Sequence, residues 1–272
     1  TYGASCVYLD DTGQPLTPLY NYLKEYSETL KEEFYAKYGG EEQISLATAS
    51  PILGSLNSGM QLYRLKKEKP EIFAKVKWAL HLPQYLSYLV TGKAVADITS
   101  IGCHTQLWDF KNNQYHNWVD KEGITAKFGK FTPADSSEDT NFEGQNFKVG
   151  VGLHDSSAAL IPYLANFNTP FVLLSTGTWC ISLNPFNQEP LTAEELKEDC
   201  LCYMYYKGKA VKASRIFAGY EHEQQLKRIA QHFDRAAYLF KHLKFNPGLI
   251  LKLANKIPEN QFPQEAFSLN SA

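Results

Sequence analysis

No window of the 272-residue chain approaches 18 uninterrupted apolar residues, so no membrane-spanning helix is expected. An excess of charge of one sign is also missing. Lys and Arg number 27 against 29 Asp and Glu, a net charge of −2. A nucleic-acid-binding surface needs clustered excess base, so that class of partner is not expected. Cysteine is sparse and unpaired in pattern: Cys6, Cys103, Cys180, Cys200 and Cys202 are five, an odd number at scattered spacing, which argues against a disulfide scaffold. Cys200-Leu201-Cys202 has no second pair after it, short of the four regularly spaced ligands of a structural zinc site. The plain reading is two thiols on one face of a strand in a reducing compartment. The opening Thr1-Tyr2-Gly3-Ala4 lacks a basic stretch of the signal-peptide kind, so the expected location is cytoplasmic. It also lacks Met and starts close to a strand, which reads as part of a longer protein.

What is present is ordinary globular material. Hydrophobic residues make up 44% and charged residues 21%, enough apolar surface to form a core and too little charge for a disordered chain. The length allows one large domain or two modest ones. Ala4–Asp10 reads as a strand, Asp11–Pro15 as a turn, and Leu16 as the start of a returning strand. Apolar spacing of three and four predicts a helix over Leu19–Tyr38, stopped by Gly39-Gly40. Further helices are predicted after Pro51, over Pro70–Val76, Trp78–Val90, His116–Lys121, Asp155–Leu164 and Ser214–Phe233. Strands are expected over Thr105–Phe110, Val149–Leu153, Phe171–Leu174, Thr178–Leu183 and Cys202–Tyr206, with Phe171–Leu174 apolar enough for burial on both faces. Residues 132–146 read as a polar surface loop. The alternation of strand and helix gives an α/β class. A composition shift at Asn166–Pro170 marks the expected domain boundary.

Two segments carry the chemistry. The first is Gly150-Val151-Gly152-Leu153-His154-Asp155-Ser156-Ser157, where a strand ends in glycine and His-Asp stands where a helix begins. Asp155 there is either a plain helix N-cap or a carboxylate at a strand's carboxyl end, the place where α/β folds put their sites. The positive end of a helix dipole favours a negative side chain at that point. The second is Leu174-Ser175-Thr176-Gly177-Thr178-Trp179, a strand, a hydroxyl-rich glycine turn and another strand. It is either a hairpin with a polar tip or a cradle whose N–H and hydroxyl groups hold phosphate oxygens. No Gly-Lys-Ser/Thr follows, so it is not a P-loop. Glu221-His222-Glu223 lacks a second zinc ligand, because position 226 is Leu. His104, His116, His232 and His242 have no partner spacing, and Trp108 and Trp118 suit core packing or sugar stacking.

Taken together and in this order, the two segments resemble the second half of the active site of the FGGY carbohydrate kinases, most of all the rhamnulokinase and fuculokinase branch. Tyr2-Gly3-Ala4-Ser5 with Val7-Tyr8-Leu9-Asp10 resembles that family's sugar-contacting strand. Lys66–Pro70, then Leu89-Val90-Thr91-Gly92 followed by Asp97-Ile98-Thr99-Ser100, resemble stretches that come before the base. The resemblance implies an actin-like ATPase fold of the ribonuclease H-like type with two lobes, incomplete at both ends. Residues 1–168 would be the remainder of the N-terminal, sugar-side lobe, and 169–272 the start of the C-terminal, ATP-side lobe. It implies ATP-dependent phosphorylation of a ketose hydroxyl, with Asp155 as the catalytic base. His154, Ser156 and Gly3 would touch the sugar. Thr176, Gly177 and Thr178 would hold phosphate, and Gln224 would contact the nucleotide. ATP with Mg²⁺ is the implied cofactor set, with no metal ligand assigned to the chain itself. A small sugar is the implied partner, and a homodimer is left open. Phosphoryl transfer asks mainly for positioning and charge stabilisation, which a carboxylate and a phosphate cradle supply.

The family's N-terminal Asp-x-Gly-Thr/Lys hairpin and its later Gly-Gly adenosine motif are not found in the chain. A longer parent protein is therefore expected, with a poor ATP site in the 272 residues alone. Two other readings remain: a non-catalytic nucleotide-binding member of the same superfold, and a carbohydrate-binding module built on Tyr and Trp stacking.

Overall fold

Four consecutive residues that are buried on both faces set the plan of the molecule. In the computed structural model, which describes residues 1–177, 179–242 and 244–254, strand β1 is Cys6–Leu9. Its alternate side chains enter different cores. Cys6 and Tyr8 join the main cluster, whereas Val7 and Leu9 pack with Leu80 in a second one. The main core is aromatic. Helix α1, Glu28–Tyr38, inserts Phe34 between Tyr35, Tyr38, Tyr63 and Trp118, with ring centroids 4.9–5.1 Å apart. Trp118 and Trp108 are both buried and belong to this core, so neither is free to stack on a sugar.

Helix α1 is shorter than the predicted Leu19–Tyr38. Ser27 caps it by accepting the Leu30 N–H, and Gly39 ends it at φ +101°. Helices α2 (Glu41–Ala47), α3 (Ser58–Glu68) and α4 (Pro70–Lys75) follow. The expected returning strand at Leu16 is only a single bridge between Leu9 and Pro15. The partner of β1 is β2, Trp78–His81, antiparallel with Cys6 opposite His81. That strand and helix α5, Leu82–Thr91, divide a stretch read as one helix, with Pro83 in the first turn of α5. Short elements come next: β3 (Val95–Ala96), α6 (Ile98–Ile101), the β4–β5 hairpin (Trp108–Asp109, Gln114–Tyr115), α7 (Asn117–Lys121) and β6 (Lys130–Phe131), which pairs in parallel with β3.

The polar loop expected over 132–146 is largely a hairpin. Strands β7 (Ser137–Phe142) and β8 (Gln145–Gly150) pair in register through a Glu143-Gly144 turn with both φ angles positive. Such turns suit the twist of paired strands. Helix α8 is Asp155–Asn166. Strands β9 (Leu173–Ser175), β10 (Cys180–Asn184), β11 (Cys200–Met204) and β12 (Ala210–Ile216) form one sheet in the order β11-β12-β10-β9, with α9 (Ala193–Lys197) between β10 and β11. Strand β9 is the edge, and Val172 and Leu174 beside and within it are exposed, not buried as their apolar run suggests. Strand β12 occupies the beginning of the stretch read as a long helix, and α10 is Ala218–His232. Helix α11 is Pro247–Ala254. Cys200 and Cys202 do share one face of β11 and pack in one small cluster as free thiols. Among the described residues no helix is long and apolar enough to cross a membrane.

The fold is α/β. It divides into two compact units: residues 1–174 with 182–214, and the described residues of 175–181 and 215–254. The boundary expected at 168 falls inside the first unit, two residues past the end of α8.

Candidate active site

The path into Asp155 is pinned from several sides before the helix begins. Ser87 Oγ and Gln84 Nε2 of α5 donate to the carbonyls of Gly150 and Gly152, each at 2.7 Å. Gly152 has φ +82°, and a Cβ there would stand 2.2 Å from the Pro83 carbonyl oxygen. Only glycine meets both conditions. The His154 backbone N–H then donates to Thr99 Oγ1 at 3.0 Å. The Asp155 N–H donates to the Thr1 carbonyl at 3.1 Å. Ser157 Oγ donates to the Met204 carbonyl of β11 at 2.8 Å.

His154, not Asp155, is the N-cap of α8. Its Nδ1 accepts the Ser156 N–H at 3.3 Å, and Asp155 is the first helical residue. The imidazole is buried, and Gly3 leaves room for it: a Cβ at Gly3 would lie 2.9 Å from His154 Cδ2. Burial, followed by the neighbouring His104 and His81, holds His154 well below the usual histidine range. The ring is therefore neutral. Its Nε2 faces Cys103 Sγ at 3.2 Å. His81, bonded to Ser58 Oγ at 2.9 Å, is lowered to about 3 by burial and by His104. Neither His154 nor His81 thus carries an imidazolium charge behind Asp155.

Asp155 itself points outward. Its side chain is 57% exposed. One oxygen, Oδ1, accepts the Ser156 N–H at 2.8 Å and also lies 3.4 Å from His154 Nδ1. Ser156 is half-buried beside it. The structure therefore gathers Gly3, His154, Asp155 and Ser156 at one place. It also brings in residues that spacing did not reveal: Cys103, His104, Thr99 and Tyr203. The rings of His104 and Tyr203 stand 5.7 and 5.9 Å from that of His154. They are some 50 residues from His154 in sequence, and only the fold unites them.

Cys103, His104 and His154 place one sulfur and two nitrogens within 4.8 Å of one another, a grouping of metal-ligand type. Burial, and next the Asp155 charge, push the Cys103 thiol well above its ordinary range, away from the thiolate a metal needs.

The remaining predicted residues belong to the second unit. Thr176 and Gly177 form an exposed turn after β9, and a Cβ on Gly177 would meet nothing closer than 3.8 Å. Thr178 lies outside the described residues. Gln224 is half-buried on α10. The turn is tied to the start of α10 by stacked rings: Trp179 on Phe217 at 4.3 Å and Phe217 on Tyr220 at 4.7 Å, with the Arg215 guanidinium 5.1 Å from the Trp179 ring.

Comparison with known proteins gives a consistent family. Residues 168–242 match the C-terminal domain of FGGY carbohydrate kinases. A rhamnulokinase from Halalkalibacterium halodurans is 27% identical over 196 residues, covering 66% of this chain and 40% of the relative. One from Oceanobacillus iheyensis is 25% identical over the same length. The chain thus spans about two fifths of the length of the curated relatives it matches. A carbohydrate kinase structure from Novosphingobium aromaticivorans superposes with a TM-score of 0.70 at 26% identity, over 83% of this chain and 51% of that one. A xylulose kinase from Lactobacillus acidophilus shares the fold alone, with a TM-score of 0.71 at 17% identity over 94% of this chain and 51% of its own. The actin-like ATPase fold, the domain match over residues 168–242 and the rhamnulokinase alignment point the same way, and the chain is similar to FGGY carbohydrate kinases.

Proposed function

We propose that the protein carrying this chain phosphorylates a hydroxyl of a small ketose at the expense of ATP, with Asp155 as general base. The observation that carries the reading is the state of Asp155: an exposed carboxylate on the first residue of α8, with Oδ1 held by the Ser156 N–H. Its Oδ2 is left to take a proton. In the proposed step the sugar oxygen gives its proton to Asp155 as it attacks the γ-phosphorus, and the bond from that phosphorus to the bridging oxygen of ADP breaks. His154 is buried, which leaves the exposed Asp155 as the proton acceptor. Gly3 and Ser156 flank the base and suit contact with sugar hydroxyls.

In the second unit, the hydroxyls of Ser175 and Thr176 and the open backbone at Gly177 suit phosphate oxygens, and Gln224 suits the nucleotide. These described residues include no carboxylate to hold Mg²⁺ directly. The ion fits as a companion of the phosphates, and no step is assigned to it. Substrate class rests on the rhamnulokinase likeness, and residues 1–168 and 169–272 are proposed as parts of the sugar-side and ATP-side lobes. The reading is tested with a panel of ketoses and coupled ADP detection on the full-length protein. Sugar-dependent ADP release that collapses in Asp155→Asn supports it. Nucleotide binding without sugar-dependent turnover would replace it with the non-catalytic reading.

A further inference from the structure

The N-cap of a helix has an N–H of its own to satisfy. A capping box fills that need with a Glu or Gln three residues into the helix. In α8 the corresponding residue is Ser157, and its hydroxyl is already spent on the Met204 carbonyl. The His154 N–H is instead received by Thr99 Oγ1, 55 residues away on α6. The Thr99 hydroxyl has a single proton, and it goes to Asp97 Oδ1. The same oxygen accepts the Ser100 N–H at 3.1 Å, as the N-cap of α6. Asp97 thereby fixes the direction of the hydroxyl, and its lone pairs are left facing His154. Asp97, Thr99 and His154 are all buried, so water does not compete for these bonds. Burial pushes the Asp97 carboxyl up to about 6, against the hydrogen bonds it accepts. Its other oxygen, Oδ2, is buried without a hydrogen-bond partner among the described residues.

We infer that Thr99 is a positioning residue for Asp155: its hydroxyl, oriented by Asp97, locks the start of α6 to the start of α8 and so holds the outward carboxylate at its working place. The inference rests on the proposed role of Asp155 as base. Two helix N-termini joined through one hydroxyl move as a unit, and a base needs its position kept to within about half an ångström. Thr99 has no reason to touch the sugar, because the buried His154 backbone lies between it and Asp155 in the chain of bonds.

The test is steady-state kinetics of Thr99→Val, Thr99→Ser and Asp155→Asn in the full-length protein. Thr99→Val keeps shape and branching and removes only the hydroxyl. It should lower kcat by about tenfold to a hundredfold, with KM for ATP changed by less than about twofold. Thr99→Ser should restore kcat to within about threefold of the parent. A general structural weakening would reduce the active fraction without this rescue. A Thr99→Val kcat within twofold of the parent, while Asp155→Asn is inactive, overturns the positioning role and leaves the base role standing. An active Asp155→Asn overturns the base role itself. Should Thr99→Val fail to fold, hydrogen exchange on the unmodified protein answers the same question. The His154 amide should exchange only through global unfolding, and exchange as fast as that of an exposed loop amide overturns the inference.

Discussion

The two chemical segments of this protein are built in opposite ways. The approach to Asp155 is held at Gly150, Gly152, His154, Asp155 and Ser157 by partners from α5, α6, β11 and the first residue of the chain. The Ser175–Gly177 turn is exposed, and its glycine has open space around it. A base must be aimed before substrate arrives, because misplacement costs rate directly. A phosphate cradle can take its final form on the ligand, whose oxygens supply the missing bonds. In the proposed reading, the contrast gives rigidity to the proton acceptor and adaptability to the phosphate contacts.

The sharpest way to break that contrast is at the base. Asp155→Asn should lower kcat by about 10²- to 10⁴-fold, whereas Thr176→Ala should act mainly on KM for ATP, by about tenfold, both read from initial rates. Equal effects of the two on kcat would erase the distinction. Next comes a glycine comparison. Gly152→Ala combines a φ of +82° with a Cβ 2.2 Å from the Pro83 oxygen and should destabilise by about 3 kcal/mol or more. Gly177→Ala, with nothing within 3.8 Å, should stay within about 0.5 kcal/mol. Urea denaturation of both variants measures the difference.

A smaller effect is expected from pH. Asp97 is raised to about 6 by burial, so between pH 4 and 6 the folded chain keeps a proton that the unfolded carboxyl has released. Stability should therefore fall as pH rises through that window, by roughly 2–3 kcal/mol in all. Asp97→Asn should abolish the decline in the urea midpoint. Glu122 works in the opposite sense. Burial would raise its carboxyl, but hydrogen bonds from Lys37, Lys66 and Tyr38 outweigh that and hold it at about 2. Its contribution is intact above about pH 4.5 and is lost as pH falls toward 2, so the two windows separate in one titration.

The part of the site that was legible in the sequence is the local part. His154-Asp155 stands out because glycine, a polar pair and small residues mark a strand-to-helix junction within a few positions. Cys103, His104 and Thr99 were not legible as members of that site, because their places depend on β1, β2 and α6 coming together across the fold. The fold errors have similar causes. Trp78–His81 runs without a break into an apolar helix, and a short apolar run does not declare its period. The β7–β8 hairpin is exposed on both faces, so no apolar alternation reports it. Val172 and Leu174 are apolar but stand at a sheet edge, where composition misstates burial. The helix start at Asp155 was legible, but that the cap itself is His154 was not, since histidine at the cap is less familiar than aspartate.

Strand β1 divides two cores as a party wall divides two rooms, each tenant residue belonging to one side only. A slip of one position would send Tyr8 and Leu9 through the wall into spaces shaped for each other's neighbours. Such an exchange has no low-energy compromise, so the chain has one place at which to lay this strand. The three residues ahead of it inherit that placement, and Gly3 arrives beside His154 as a consequence of where a tyrosine and a leucine were allowed to go.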